Sequence, residues 1–284
     1  MTDRRAPIIS IFGLQDCLLC KKKKPMKFNS LLIYLMLTIA LSSCSPTSTP
    51  EPFNAKPEVV LKNFKAWWEY HSQNINLSKN YTALDASSKV INHELFLQML
   101  ATGNYVAFRL NTPDLSYQYK LYELSPKADN EIRTQVIQFG EAGYRKFKME
   151  GTRLPDFNFT DLNGNVYNKE NTKGKIVVVK CWFVNCQKCV EEMPALNELV
   201  KEFSNRPDVV FISLAFDSKE KLKKFLTNTT FDYAVIPVSQ NYLEEKLKVT
   251  EYPTHFILNR KGRVTKVVTD YHDMIYALKY QLSE

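Results

Sequence analysis

Basic residues are not gathered where a nucleic-acid surface would need them. Of the net charge of +8, residues 1–43 carry +5, from seven Lys/Arg against two Asp/Glu, which leaves +3 for residues 44–284. No basic patch with interleaved aromatics is present, so neither a phosphate-tracking surface nor a nucleic-acid partner is expected. Long apolar runs are missing too, since Leu31–Leu41 falls short of the ~20 residues that cross a bilayer. Histidines number only 4, with no H-x-x-x-H pair, glycines only 8, and no internal repeat is visible. What is left is an ordinary globular composition, 44% hydrophobic and 24% charged, in a chain long enough for one large or two ordinary domains.

Residues 26–45 read MKFNSLLIYLMLTIALSSCS. Met26-Lys27 opens a short basic region, an apolar stretch follows, and Leu41-Ser42-Ser43-Cys44 resembles the lipobox of bacterial lipoproteins. A buried core helix is the competing reading, and the polar and Pro-rich flanks speak against it. The resemblance implies a signal peptide over 26–43 and a diacylated Cys44 as first residue of the mature protein. Residues 1–25 are then expected to be a spurious extension, because KKKK ahead of Met26 makes a poor signal-peptide start. The CLLC at Cys17–Cys20 is discounted with them. The expected location is the cell envelope, lipid-anchored and periplasm-facing, where disulfides persist. Ser45 after Cys44, rather than Asp, resembles the outer-membrane class if the cell has two membranes.

The Pro-, Ser- and Thr-rich stretch up to Lys56 reads as a tether, so 44–56 is expected to be a lipid-anchored linker. Residues 57–150 read as a small α/β module of unknown role, with no His/Cys cluster, Gly-rich loop or paired acids. A helix is expected over Val59–Tyr70, and a second from a Ser87 or Ser88 cap through Leu100. NYVAFRL and SYQYKLYEL alternate like half-buried strands, and IRTQVIQFGEAGYRKF returns to helical spacing. The aromatic richness is most simply core, with a docking surface for a partner as the sharper alternative.

From Gly151 to Glu284 the texture changes. Asn163-Gly164 between alternating apolar positions is a hairpin signal. KIVVVKCWF reads as a strand buried on both faces, as a central parallel strand would be. A helix over 187–203 interrupted by Pro194 follows, then strand DVVFISLAF, a helix capped by Ser218, strand DYAVIPV and a short helix at NYLEEKLKV. A hairpin around Lys261-Gly262 and a closing helix over 272–282 complete a parallel sheet with an antiparallel edge.

WFVNCQKCVEEMP carries the chemistry. Cys186 and Cys189 are readable as a metal clip, a structural staple or a redox pair. Zinc wants four ligands, and neither a second C-x-x-C past residue 43 nor a histidine pair completes the set. A staple across two intervening residues removes little chain entropy. Between a strand and a helix, the first cysteine meets free N–H groups and the helix dipole, which favour a thiolate. The second, one turn in, is placed to resolve a mixed disulfide. The redox reading is the one carried forward.

KCWFVNCQKCVEEMPALNEL, with Tyr252-Pro253-Thr254 about 65 residues later, resembles the thioredoxin-like TlpA/ResA group of membrane-anchored thiol–disulfide oxidoreductases. The resemblance covers about residues 151–284 and implies a thioredoxin fold preceded by the small α/β module. By it Cys186 is the attacking thiol and Cys189 the resolving one, together a redox-active disulfide. Glu192 matches the family's buried acid, which moves protons to and from Cys189 if burial raises its pKa; a solvated helix residue is the plainer alternative. Pro253 matches the cis-proline, whose neighbours Tyr252 and Thr254 face the disulfide and bind the substrate backbone. The implied partners are protein disulfides or dithiols, a membrane or periplasmic thiol electron donor, and the membrane through the lipid anchor. No cofactor and no metal are implied.

Departures from the pattern bear on tuning. Asn185 stands where many members have an aromatic residue, and Gln187-Lys188 replaces a commoner Pro-containing dipeptide. Lys188 is a candidate for favouring the thiolate. Lys180 falls where thioredoxin has a buried acid, and either pairs with Glu192 or snorkels outward. Cys181 reads as core. His255 follows the Pro-Thr pair where threonine is common, with a metal role as a remote alternative. Two rivals remain: a peroxiredoxin-like peroxidase, disfavoured because Phe183 stands where a Thr three residues before the cysteine is needed, and a non-catalytic adaptor lipoprotein.

Overall fold

The computed structural model describes residues 55–112 and 116–283. The expected extension (1–25) and signal peptide (26–43), with Cys17, Cys20 and Cys44, lie outside the described residues, as does all but the end of the expected linker. Among the described residues no helix is long and apolar enough to cross a membrane.

The helix expected over Val59–Tyr70 is two: α1, Pro57–Val60, and α2, Phe64–Asn74. Asn63 separates them, because its extended backbone and its Oδ1, accepting from Ala66 N at 2.9 Å, make it the N-cap of α2. The next helix, α3, covers His93–Ala101 and not Ser87–Leu100; Asn92 is its cap, accepting from Leu95 N at 2.8 Å. Ser87 and Ser88 instead turn the hairpin between β1 (Thr82–Leu84) and β2 (Val90–Ile91). Asp85 Oδ1 gathers the N–H groups of Ser87 and Lys89 there, and Ser88 sits at φ 69°. An Asx turn competes with a helix start for the same residue types, and here the turn wins.

Strands β3 (Tyr105–Arg109) and β4 (Gln118–Glu123) follow as the alternation predicts, giving a sheet of order β2-β1-β4-β3. Helix α4, Asn130–Met149, packs on α3. Trp67, Phe96, Phe108, Tyr119, Leu121 and Ile132 are buried between them, so most of the aromatic surplus of this segment is core.

A hairpin of β5 (Asn158–Thr160) and β6 (Val166–Asn168) leads into β7, Ile176–Trp182, every residue of which is buried. Alternation divides β7 between two cores: Ile176, Val178 and Trp182 face one, Val177, Val179 and Cys181 the other. Helices α5 (Gln187–Glu191) and α6 (Met193–Glu202) are nearly continuous, and Pro194, which has no N–H to donate, marks the break at Glu192. Then come β8 (Val209–Ala215), α7 (Lys219–Leu226, capped by Ser218), β9 (Ala234–Pro237) and a π-helical turn at Tyr242–Lys246. Strands β10 (Thr254–Leu258) and β11 (Val264–Val268) and helix α8 (Tyr271–Ser283) close the chain. The sheet order is β11-β10-β7-β8-β9, with β7, β8 and β9 parallel and β10 antiparallel to both neighbours. This mixed sheet under flanking helices is the thioredoxin fold.

The two sheets are joined along α4 and β11. Gly151 N donates to Val264 O at 2.7 Å, Lys146 pairs with Glu251 at 2.9 Å, and Asn76 Nδ2 donates to Asp273 Oδ1 at 2.7 Å. The described residues accordingly belong to one compact unit, although each sheet has its own core.

Candidate active site

Strand β7 ends at Trp182, whose indole is locked between Phe225 and Phe231, and the chain turns through 183–185 into α5. Cys186 is the N-cap of that helix, and its Sγ accepts from Cys189 N at 3.2 Å. A disulfide joins Cys186 to Cys189, with Cα atoms 5.2 Å apart. The two sulfurs differ in access: Cys186 is 7% exposed and Cys189 0%. Only the first is open to an incoming group.

The loop before Cys186 is held by a residue the sequence reading passed over. Asp217, at the C-terminal end of β8, accepts from Val184 N at 2.6 Å and pairs with Lys221. An acid at the end of the strand paired in parallel with β7 was the available signal, since parallel neighbours end on the same side of the sheet.

The Tyr252-Pro253 peptide is cis, and Thr254 opens β10 opposite Cys181 of β7. That register sets Pro253 beside the end of β7, where the chain turns toward Cys186. Thr254 Oγ1 donates to Glu251 O at 2.7 Å, and the Tyr252 ring meets Phe183 edge-on at 5.5 Å and Phe216 at 5.4 Å. Lys188 is exposed, and its ammonium donates to Thr269 O at 3.2 Å, which ties α5 to the approach to α8.

Lys180 does not snorkel. It is fully buried, and its ammonium pairs with Glu192 Oε1. His255, also fully buried, brings Nε2 to 3.0 Å from the same oxygen, although neither imidazole nitrogen makes a well-aligned hydrogen bond among the described residues. Glu192 is therefore no solvated helix residue, being 4% exposed. The proton role is conditional on burial raising its pKa, and the net direction is downward. Burial alone pushes the carboxyl up, but His255 and Lys180 at one oxygen outweigh it and hold Glu192 below the usual carboxylate range. Burial pushes the His255 imidazole down against the pull of Glu192, and pushes the Lys180 ammonium down against the same partner. Cys181 faces the opposite core, where burial drives its thiol far up and leaves it inert. A cavity of about 540 Å³ lies elsewhere, between the two sheets, lined by His71, Tyr81, Phe139, Lys266 and Tyr276 among others; neither Cys186 nor Cys189 borders it.

Comparison with known proteins covers the same part of the chain. Residues 151–267 match the AhpC/TSA family. Over 125 residues the chain is 30% identical to the thioredoxin-like protein YneN of Bacillus subtilis (strain 168), covering 43% of this chain and 71% of that protein. It is likewise 30% identical over 125 residues to a thiol-disulfide oxidoreductase ResA of Bacillus cereus, covering 43% of this chain and 72% of that one. A solved structure, a putative thiol:disulfide interchange protein DsbE from Chlorobium tepidum, aligns with 47% of this chain and 94% of its own at 20% identity, with a TM-score of 0.42. The chain is an oxidoreductase, and it belongs to the ResA-type thiol–disulfide oxidoreductases of the thioredoxin-like redoxin family.

Proposed function

We propose that this oxidoreductase works in the cell envelope, held to a membrane by lipid on Cys44, and exchanges disulfides with envelope proteins through Cys186 and Cys189. The observation that carries the reading is the unequal access of the two sulfurs, with the reachable one at the N-cap of α5. The free N–H groups of the first turn favour a thiolate there. In the reduced enzyme, the Cys186 thiolate attacks a client disulfide, forming a mixed disulfide and releasing one client thiolate. Cys189 then attacks Cys186 Sγ, the internal disulfide closes, and the second client thiolate leaves with the electron pair. A thiol donor, soluble or membrane-borne, returns two electrons to the pair.

The backbone beside Pro253 pairs with the client chain, flanked by Tyr252 and Thr254, and Glu192 assists proton movement at Cys189. A domain boundary at residue 150, with 57–150 as a separate module, belongs to the same proposal, as does an outer-membrane address in a two-membrane cell. A peroxidase is disfavoured because position 183 carries a phenyl ring packed against Phe216 where a hydroxyl would be required.

Cys189→Ser in the full chain is expected to accumulate mixed disulfides with envelope proteins, identified by mass spectrometry after thiol trapping. The wild type is expected to reduce insulin and Cys186→Ala is not. An inactive wild type together with an absence of covalent adducts refutes the reading; peroxide consumption without any dithiol partner replaces it with a peroxidase.

A further inference from the structure

The cavity of about 540 Å³ is walled by α2, the loop after it and α4 on one side, and by β11 and α8 on the other. Well-packed interiors leave few voids larger than a water molecule. This one has room for on the order of 18 waters at about 30 Å³ each, and falls within the ~300–1,000 Å³ of small-molecule sites. Ser72 and Asn80, both in its wall, are exposed, so the cavity meets solvent at that edge.

Flat rings make up much of the wall. His71 stacks on Phe139 with centroids 4.7 Å apart, and Tyr81 stacks on His93 at 4.3 Å. Burial pushes the His71 imidazole down to about 4, so at neutral pH it adds a ring without a charge. Leu77, Leu97 and Phe147 supply further apolar surface.

The polar groups of the wall are unevenly matched. Of its three lysines, Lys146 pairs with Glu251 at 2.9 Å and Lys266 with Glu150 at 3.4 Å. Lys79 has no carboxylate partner among the described residues. Its ammonium donates to Tyr117 Oη at 3.0 Å and sits 5.3 Å from the centre of the Tyr276 ring. Asp273, on α8, accepts from Asn76 Nδ2 instead. Gln281 carries a second open valence: its Oε1 accepts from Thr265 Oγ1, while its Nε2 is buried with no partner among the described residues. A buried donor left unpaired is costly, and marks a place where an acceptor belongs.

We propose that this cavity binds a small organic anion with a flat apolar body. The acid group pairs with Lys79, the rings of the wall hold the body, and an acceptor on the bound molecule takes the N–H of Gln281. The inference stands apart from the thiol chemistry, since neither Cys186 nor Cys189 borders the cavity.

The test is equilibrium dialysis of the full chain against two probes of one shape, coumarin-3-carboxylate and its uncharged amide. The wild type is expected to bind one carboxylate per chain, saturably and more tightly than the amide. Lys79→Met is expected to weaken the carboxylate about tenfold and the amide less than twofold, and Lys79→Arg to restore the difference. Gln281→Met is expected to weaken both probes about threefold or more, while Thr265 Oγ1 keeps Ile257 O at 3.1 Å. Lys127→Met, exposed and outside the wall, is expected to change nothing. Ser72→Trp crowds the exposed edge, is expected to abolish binding, and decides the matter where a wall variant lowers the urea midpoint. No saturable binding, or binding that Lys79→Met, Gln281→Met and Ser72→Trp all leave unchanged, overturns the inference. Equal affinity for carboxylate and amide overturns the assignment of an anion. Inactivity toward insulin bears on the proposed function alone.

Discussion

Among the described residues, replacing Glu192 by Gln removes the one anion paired with Lys180 while keeping the volume. With Lys180 wholly buried and Glu192 nearly so, solvent screening offers no relief. Removing one partner of such a pair typically costs about 3–5 kcal/mol, because the other charge is left uncompensated. The loss has a ceiling, since the folded protein can release the lysine proton. From a reference pKa near 10.4, that release costs about 5 kcal/mol at pH 7, and the cost falls by about 1.4 kcal/mol for each pH unit gained. The sign follows directly: burial depresses the Lys180 pKa, so the penalty is fully present at low pH and fades as pH rises toward the unfolded value. Glu192→Gln is expected to lose about 3–5 kcal/mol at pH 7 and no more than about 2 at pH 9.

Lys180→Met has the opposite slope. It leaves a buried carboxylate that escapes by binding a proton, on itself or on the neighbouring His255, and that escape becomes costlier as pH rises. The double variant, with neither charge, is expected to recover most of either loss. Urea unfolding of the oxidised full chain at pH 6, 7, 8 and 9 measures all four species. Two penalties that simply add, or that share one pH slope, refute the account of a desolvated pair.

Two more expectations concern residues 57–150. His71, stacked on Phe139 at 4.7 Å and pushed down to about 4 by burial, is neutral in the fold. Stability is then lost as pH falls from about 6.5 toward 4, by on the order of 2 kcal/mol after discounting partial exposure, and His71→Gln removes that part of the acid sensitivity in urea melts. Gly140 lets α4 approach α3: an added Cβ would lie 2.3 Å from Ala101 N and 2.7 Å from Leu100 C, both backbone. Overpacking of about 1–3 kcal/mol or more outweighs the gain of about 1 kcal/mol in helix propensity, so Gly140→Ala is expected to lower the urea midpoint. A raised midpoint would show that α3 can move aside.

The sequence by itself determined the mixed sheet, the central strand, the closeness of Cys186 to Cys189 and the cis peptide at Pro253. Each of these is written locally: seven consecutive buried residues in β7, a C-x-x-C between strand and helix, an Asn-Gly hairpin, a proline at a fixed distance. Helix starts were less legible, because Asn63, Asn92 and the Ser87-Ser88 turn use one small set of residue types for opposite purposes. Only the tertiary structure decided the ionisation of the site. His255 lies far from Lys180 and Glu192 in the chain, and whether Glu192 is an acid or a carboxylate depends on which two side chains share its oxygen. Burial raises a carboxyl and a neighbouring positive charge lowers it, and the winner is set by distances of a few ångströms across three elements that no local pattern records.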